Sequence, residues 1–147
     1  MAYCDFNVHI VFSTKEREPW IGHDVKDRLY PYIGGILRQL EGRLIAAGGS
    51  SDHLHLAASL SPRRSLVEVV RTVKANSSKW IHQEFAALAD FAWQDGYAVF
   101  SVSHSVMPRA VEYVKGQEQH HPKMTFKEEL IALFRRHDIK FDERHLA

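Results

Sequence analysis

An α+β fold built on one antiparallel sheet is predicted by three observations. Residues 6–13 and 54–60 alternate apolar and polar side chains with the two-residue period of strands. Two further stretches carry apolar residues at three- and four-residue spacing, as helices packed on one side do. The resulting order is strand, helix, strand, strand, helix, strand and then two helices. That is a split βαβ arrangement, ferredoxin-like or RRM-like, with helices on one face of the sheet and extra helices at the C-terminus.

Each element has its own signal. In Phe6 to Ser13, the side chains of Phe6, Val8, Ile10 and Phe12 leave one face, and those of Asn7, His9, Val11 and Ser13 the other. A charged loop, Lys15 to Pro19, leads to a helix from about Asp24 that carries Val25, Leu29, Ile33, Ile36, Leu37 and Leu40. Pro31 is expected to kink or restart it. Arg43 to Ala47 and Leu54 to Leu60 flank Gly48, Gly49, Ser50, Ser51 and Asp52, which predicts a hairpin. In its second strand Leu54, Leu56, Ala58 and Leu60 form the apolar face, while His53, His55, Ala57 and Ser59 form the other. Ser65 with Glu68 is a capping box, opening a helix through Leu66, Val69, Val70, Val73, Trp80, Ile81 and Phe85. After the Asp95-Gly96 turn, Tyr97 to Ser103 reads as the fourth strand. Pro108 suits the first turn of a helix running to about Gln119, and Pro122 stops it. Thr125 with Glu128 caps a last helix containing Leu130, Ile131, Leu133 and Phe134. Trp80 and Trp93 are expected in the core.

At 147 residues, 45% hydrophobic and 25% charged, the chain reads as one globular domain, 1–147. A single cysteine, Cys4, excludes a disulfide framework and a cysteine-rich zinc site. No apolar run approaches the ~18 residues of a membrane span. The N-terminus also lacks the apolar stretch of a signal peptide, so a cytoplasmic location without a membrane partner is expected. A net charge of +1 gives no global pull on nucleic acid, so such a partner needs a local patch. Arg63, Arg64, Arg71, Lys74 and Lys79, against Glu68 alone in residues 61–82, form one candidate for contacts to DNA phosphates. Asn76, Ser77 and Ser78 add small polar groups. A solvated helix face is the plain alternative.

His53-Leu54-His55 places two imidazoles on one strand face, close enough to share a metal ion, with Leu54 anchored in the core. Two surface histidines are the alternative. Because this face reads as polar, truncating either histidine is expected to leave no core cavity. Tyr113 and Gln117 are four residues apart and share a helical face. A phenol can act as a nucleophile and an amide oxygen can ligate a hard cation, although Tyr113 also fits an amphipathic core position. His9, on a strand adjoining that of His53, is a candidate to support the ligands from behind. His120 and His121 are candidates for a structural role or DNA contacts. No carboxylate lies within either motif, so metal binding by the protein alone is expected to be weak.

His53-Leu54-His55 followed by Tyr113 to Gln117 resembles the single-tyrosine HUH transposases of small bacterial insertion sequences, the IS200-like transposases. The resemblance extends to Asn7 to Lys15, Gly49 to Leu56, Lys74 to Trp80, Phe91 to Tyr97 and Gln117 to His121. It implies a nuclease and ligase for single-stranded DNA that depends on a divalent cation, magnesium or manganese, held by His53, His55 and Gln117. It also implies that Tyr113 attacks the scissile phosphate, giving a 5′-phosphotyrosine and a free 3′-hydroxyl. The substrate would be DNA with a hairpin near the ends of a mobile element. The chain would be a homodimer, with the histidines of one subunit meeting Tyr113 and Gln117 of the other on a helix directed away from its own sheet. The alternatives are a domesticated transposase acting on scattered palindromes, a hairpin-binding protein without catalysis, and a small metallohydrolase that would turn over without Tyr113.

Overall fold

The computed structural model describes residues 3–117 and 124–146. The main elements are β1 (Asn7–Ser13), α1 (His23–Gln39), β2 (Arg43–Gly49), β3 (His53–Ser59), α2 (Leu66–Glu84), β4 (Ala98–Val102), α3 (Met107–Lys115) and α4 (Phe126–Arg136). The four strands lie in the order β2-β3-β1-β4, and every neighbouring pair is antiparallel. The fold is the α+β architecture that the element order predicts.

One face of the sheet is a conventional apolar core. Val8, Ile10 and Phe12 of β1 and Leu54, Leu56 and Ala58 of β3 pack against Leu29, Ile33 and Leu37 of α1 and Val69, Val70 and Val73 of α2. Helix α1 runs unbroken through Pro31. Pro31 and Asp27, four residues earlier, are both exposed, so the carbonyl that loses its N–H partner faces water. Helix α2 starts where the capping box places it, with Glu68 N donating to Ser65 Oγ at 3.0 Å. Trp93 is buried against Phe12 and donates its indole N–H to Ser77 Oγ, while Trp80 is half-buried and stacked on Tyr32.

The second face corrects the expectation of a polar, open surface. Helices α3 and α4 cover it, and His53 and His55 are both 0% exposed. Phe126, Leu130 and Leu133 of α4 pack on Val11 and Phe100, and Met107 and Val114 of α3 pack on Ala46 and Ala57. Strand periodicity assigns side chains to a face but does not say what lies over that face. Truncating either histidine therefore does open a hole in a packed layer.

Two local features set α3 on its own sheet. A tight turn at His104–Val106, with Val106 N and Met107 N both donating to Ser103 O, folds the chain back. Gly48 of β2, paired with His55, then lets the end of α3 approach, because a Cβ there would run into the Val114 carbonyl. Helix α3 ends at Lys115, with Gly116 as its C-cap, and Gln117 is again helical, while the expected end at about Gln119 lies outside the described residues. His120, His121 and Pro122 lie outside the described residues.

Candidate functional site

The site is assembled between β1, β3 and the two covering helices. Alternation along β3 sends Leu54 and Leu56 into the first core and His53 and His55 to the other face. Gln117, just past α3, is fully buried and brings Oε1 to 3.3 Å from His53 Nε2. Glu129 of α4 is 1% exposed, with Oε1 at 3.0 Å from His55 Nε2 and 3.8 Å from His53 Nε2. Its other oxygen, Oε2, accepts a short hydrogen bond from the Tyr113 hydroxyl. Tyr113 also lies edge-on to His55, with ring centres 5.7 Å apart.

The outer nitrogens of the histidines are engaged. His53 Nδ1 lies 2.7 Å from Asp52 Oδ1 and 3.0 Å from Ser50 Oγ. With the Nδ1 proton donated to that carboxylate, His53 Nε2 is a bare lone pair. His55 Nδ1 lies 2.7 Å from His9 Nε2. Burial first, and His55 second, lower the His9 pKa to about 3, so His9 is neutral at physiological pH. In the tautomer in which His55 donates Nδ1–H to His9, His55 Nε2 is a lone pair too.

The donor set then fits a cation. Nε2 of His53 and His55 and a carboxylate oxygen of Glu129 all lie within 4.8 Å of one another, with the Gln117 amide oxygen beside them. Electron pairs facing one another across so short a gap are stabilised by a positive ion between them. Two imidazoles, a carboxylate and an amide suit a divalent metal. The absence of a carboxylate from either sequence motif is thus corrected by Glu129, which comes from α4. The signal for it is in the sequence: Phe126, Glu129, Leu130 and Leu133 form one helical stripe, and an acid on an apolar stripe needs a partner.

The electrostatics at Asp52 and Tyr113 run in opposite directions. Burial raises the Asp52 pKa, but hydrogen bonds from His53 and Ser50 outweigh it and hold this carboxyl below its ordinary value. For Tyr113, burial first and the Glu129 carboxylate next push the pKa up, opposed by Gln117 and Arg136. The phenol therefore holds its proton and points it at a carboxylate.

Tyr113, Gln117, His53, His55 and His9 come together within the single chain described. The cationic residues of residues 61–82 lie apart from it, because α2 packs on the opposite face of the sheet. Arg63 and Arg64 pair with Glu41, at 3.7 and 3.8 Å, and Arg64 also with Glu68. Lys74 Nζ donates to the carbonyls of Gln94 and Gly96, and Ser77 is buried. Arg71 and Lys79 are exposed.

Comparison with known proteins adds four findings. The family model described as "Transposase IS200 like" matches residues 2–117. The ISDra2 transposase TnpA of Deinococcus radiodurans is 22% identical over 114 residues, spanning 74% of this chain and 81% of that protein. Among solved structures, a transposase candidate from Deinococcus radiodurans R1 superposes with a TM-score of 0.65 at 23% identity, over 80% of this chain and 95% of the other. A REP-associated tyrosine transposase bound to a REP hairpin gives a TM-score of 0.57 at 13% identity, over 78% and 67% of the two chains. Both superpositions establish a shared fold. Helix α4, which carries Glu129, lies beyond the residues that the family model matches.

Proposed function

The chain belongs to the IS200-like transposase family, and we propose that it cuts and rejoins single-stranded DNA through a 5′-phosphotyrosine on Tyr113. One observation supports this reading above the others: Tyr113 shares a carboxylate with the two histidines that would hold a metal ion. His53, His55, Gln117 and Glu129 would hold a divalent cation, magnesium or manganese, whose charge polarises a phosphate. His9 and Asp52 orient the two imidazoles by holding their outer nitrogens. The remaining chemistry belongs to the protein. A phenol with a raised pKa is a poor nucleophile, so the Glu129 carboxylate takes its proton as the phenolic oxygen forms the bond to phosphorus. The bond from phosphorus to the 3′-oxygen breaks, and that oxygen takes a proton from solvent water and leaves as a hydroxyl. Rejoining is the reverse: a 3′-hydroxyl attacks the phosphotyrosine, and Tyr113 recovers its proton from Glu129.

The substrate in this reading is DNA with a hairpin and a single-stranded flank at the ends of an insertion sequence. The related REP-associated enzyme solved with a REP hairpin supports the hairpin. We place the whole of 1–147 in one catalytic domain, acting as a homodimer in the cytoplasm, with a complete site in each copy. Among the described residues no helix is long and apolar enough to cross a membrane. The test is incubation with single-stranded DNA from the gene's own flanks plus manganese, followed by a denaturing gel. A covalent protein–DNA adduct that disappears in Tyr113→Phe, with hairpin binding retained, is expected. Cleavage by Tyr113→Phe at the wild-type rate would point to a metallohydrolase instead, and hairpin binding without any adduct to a binding protein.

A further inference from the structure

His53, His55 and Gln117 are each 0% exposed, closed off by the sheet, α3 and α4. On one side the closure opens into a cavity. It lies between β4, α3 and the end of α4, has a volume of about 640 Å³, and reaches both Tyr113 and His9. That volume is within the range of small-molecule and nucleotide sites. Its floor is apolar, with Phe100 and Leu133 buried there, and Ser101 and Ser103 line its edge.

The charge on its walls has one sign. Arg109 of α3 and Arg136 of α4 line it from facing helices, His137 joins them, and among the described residues no acidic side chain lines it. Neither Arg109 nor Arg136 makes an ion pair with any described residue, unlike Arg28, Arg63, Arg64 and Arg144, each of which has a carboxylate partner. Two guanidiniums without partners, across a cavity that ends at a nucleophilic oxygen, match an anion with planar oxygen pairs, which is the chemistry of a phosphodiester. We propose that this cavity binds the single-stranded DNA next to the cut, with Arg109 and Arg136 gripping a phosphodiester adjacent to the scissile one. The proposal rests on the transposase reading above. It assigns strand entry to the gap between α3 and α4, and it gives α4 a role in the substrate site as well as in the ligand set.

Equilibrium binding in the Tyr113→Phe background tests it without any need for cleavage. Two fluorescent DNAs are compared with the full chain: a hairpin with a single-stranded flank, and the same hairpin cut flush. Arg109→Gln with Arg136→Gln should weaken binding of the flanked DNA by about tenfold and lower its salt slope by ~0.7, the value for one lost phosphate contact on a single strand. Binding of the flush hairpin should stay unchanged. Arg135→Gln, one residue away and outside the cavity, should match the parent with both DNAs, and the paired Arg→Lys variant should recover part of the loss. Unchanged flank binding in the double Gln variant would overturn the proposal. An equal loss on both DNAs would overturn it too, since that is general electrostatics. If the unmodified protein forms no adduct, the cleavage reading fails while the flank comparison still decides the cavity.

Discussion

At Glu129 one carboxylate faces two neighbours, with Oε1 turned to the histidines and Oε2 to the Tyr113 hydroxyl. Glu129→Gln keeps the shape and removes the charge. Manganese affinity, measured by calorimetry, should then fall by about 10- to 100-fold, and adduct formation should slow while hairpin binding holds. Unchanged affinity would take the carboxylate out of the ligand set. The buried histidines carry a stability cost of their own. His55→Ala removes a ring packed against His9 and Tyr113 and takes one neighbour from the Glu129 carboxylate, which keeps Tyr113. A loss of about 2–4 kcal/mol in urea unfolding in chelator is expected. A value near zero would mean that this layer relaxes freely. The pair His53 and His55 was legible from its spacing alone, since alternation along a strand fixes direction. Glu129 was not, because nothing local in α4 says that its stripe meets β3, sixty and more residues earlier in the chain. Lys74 shows the same limit: its charge is visible in the sequence, and the two carbonyls that engage it are not.

Among the elements, the seat of α3 depends on the missing side chain of Gly48. Gly48→Ala should push the Val114 turn off the sheet and carry Tyr113 away from Glu129. A loss of about 1–3 kcal/mol is expected, together with adduct yield far below that loss of fold would explain. Circular-dichroism melting beside the gel assay separates the two effects. Wild-type adduct yield at full stability would show that α3 has another seat. The cap of α4 offers a milder perturbation. Thr125 accepts a hydrogen bond from Glu128 N at 3.1 Å, and Thr125→Ala should cost about 1 kcal/mol by urea unfolding. Both capping boxes were legible, because a cap is a contact between residues three apart. The length of α3 was not. The break at Gly116, after which Gln117 is again helical, coincides with packing on β2 that no local residue announces. Pro31 was the opposite case, a breaker that the helix absorbs on its wet side.

For the whole molecule, the residues to which the family resemblance gives catalytic roles meet within the single chain described, and the cis site we propose differs from the exchange between subunits that the sequence reading expected. A loop's direction cannot be read from its composition, and the turn at His104–Val106 returns α3 to its own sheet. Mixed dimers of Tyr113→Phe and His55→Ala should therefore form no adduct beyond that of either parent. Appreciable cleavage by co-purified heterodimers would show that the helices trade places in solution. The burial of the ligand atoms also sets a clock. An ion held by side chains with no exposed surface would leave slowly, through the gap between α3 and α4 or by an opening of the fold, so its exchange would follow that opening as well as its affinity. Chelator added at the moment of assay should spare a protein already loaded, and the same chelator should silence it after hours or in mild denaturant. The protein would then keep a memory of the metal present when it folded, and two preparations of identical sequence could differ in activity according to the medium in which each was made.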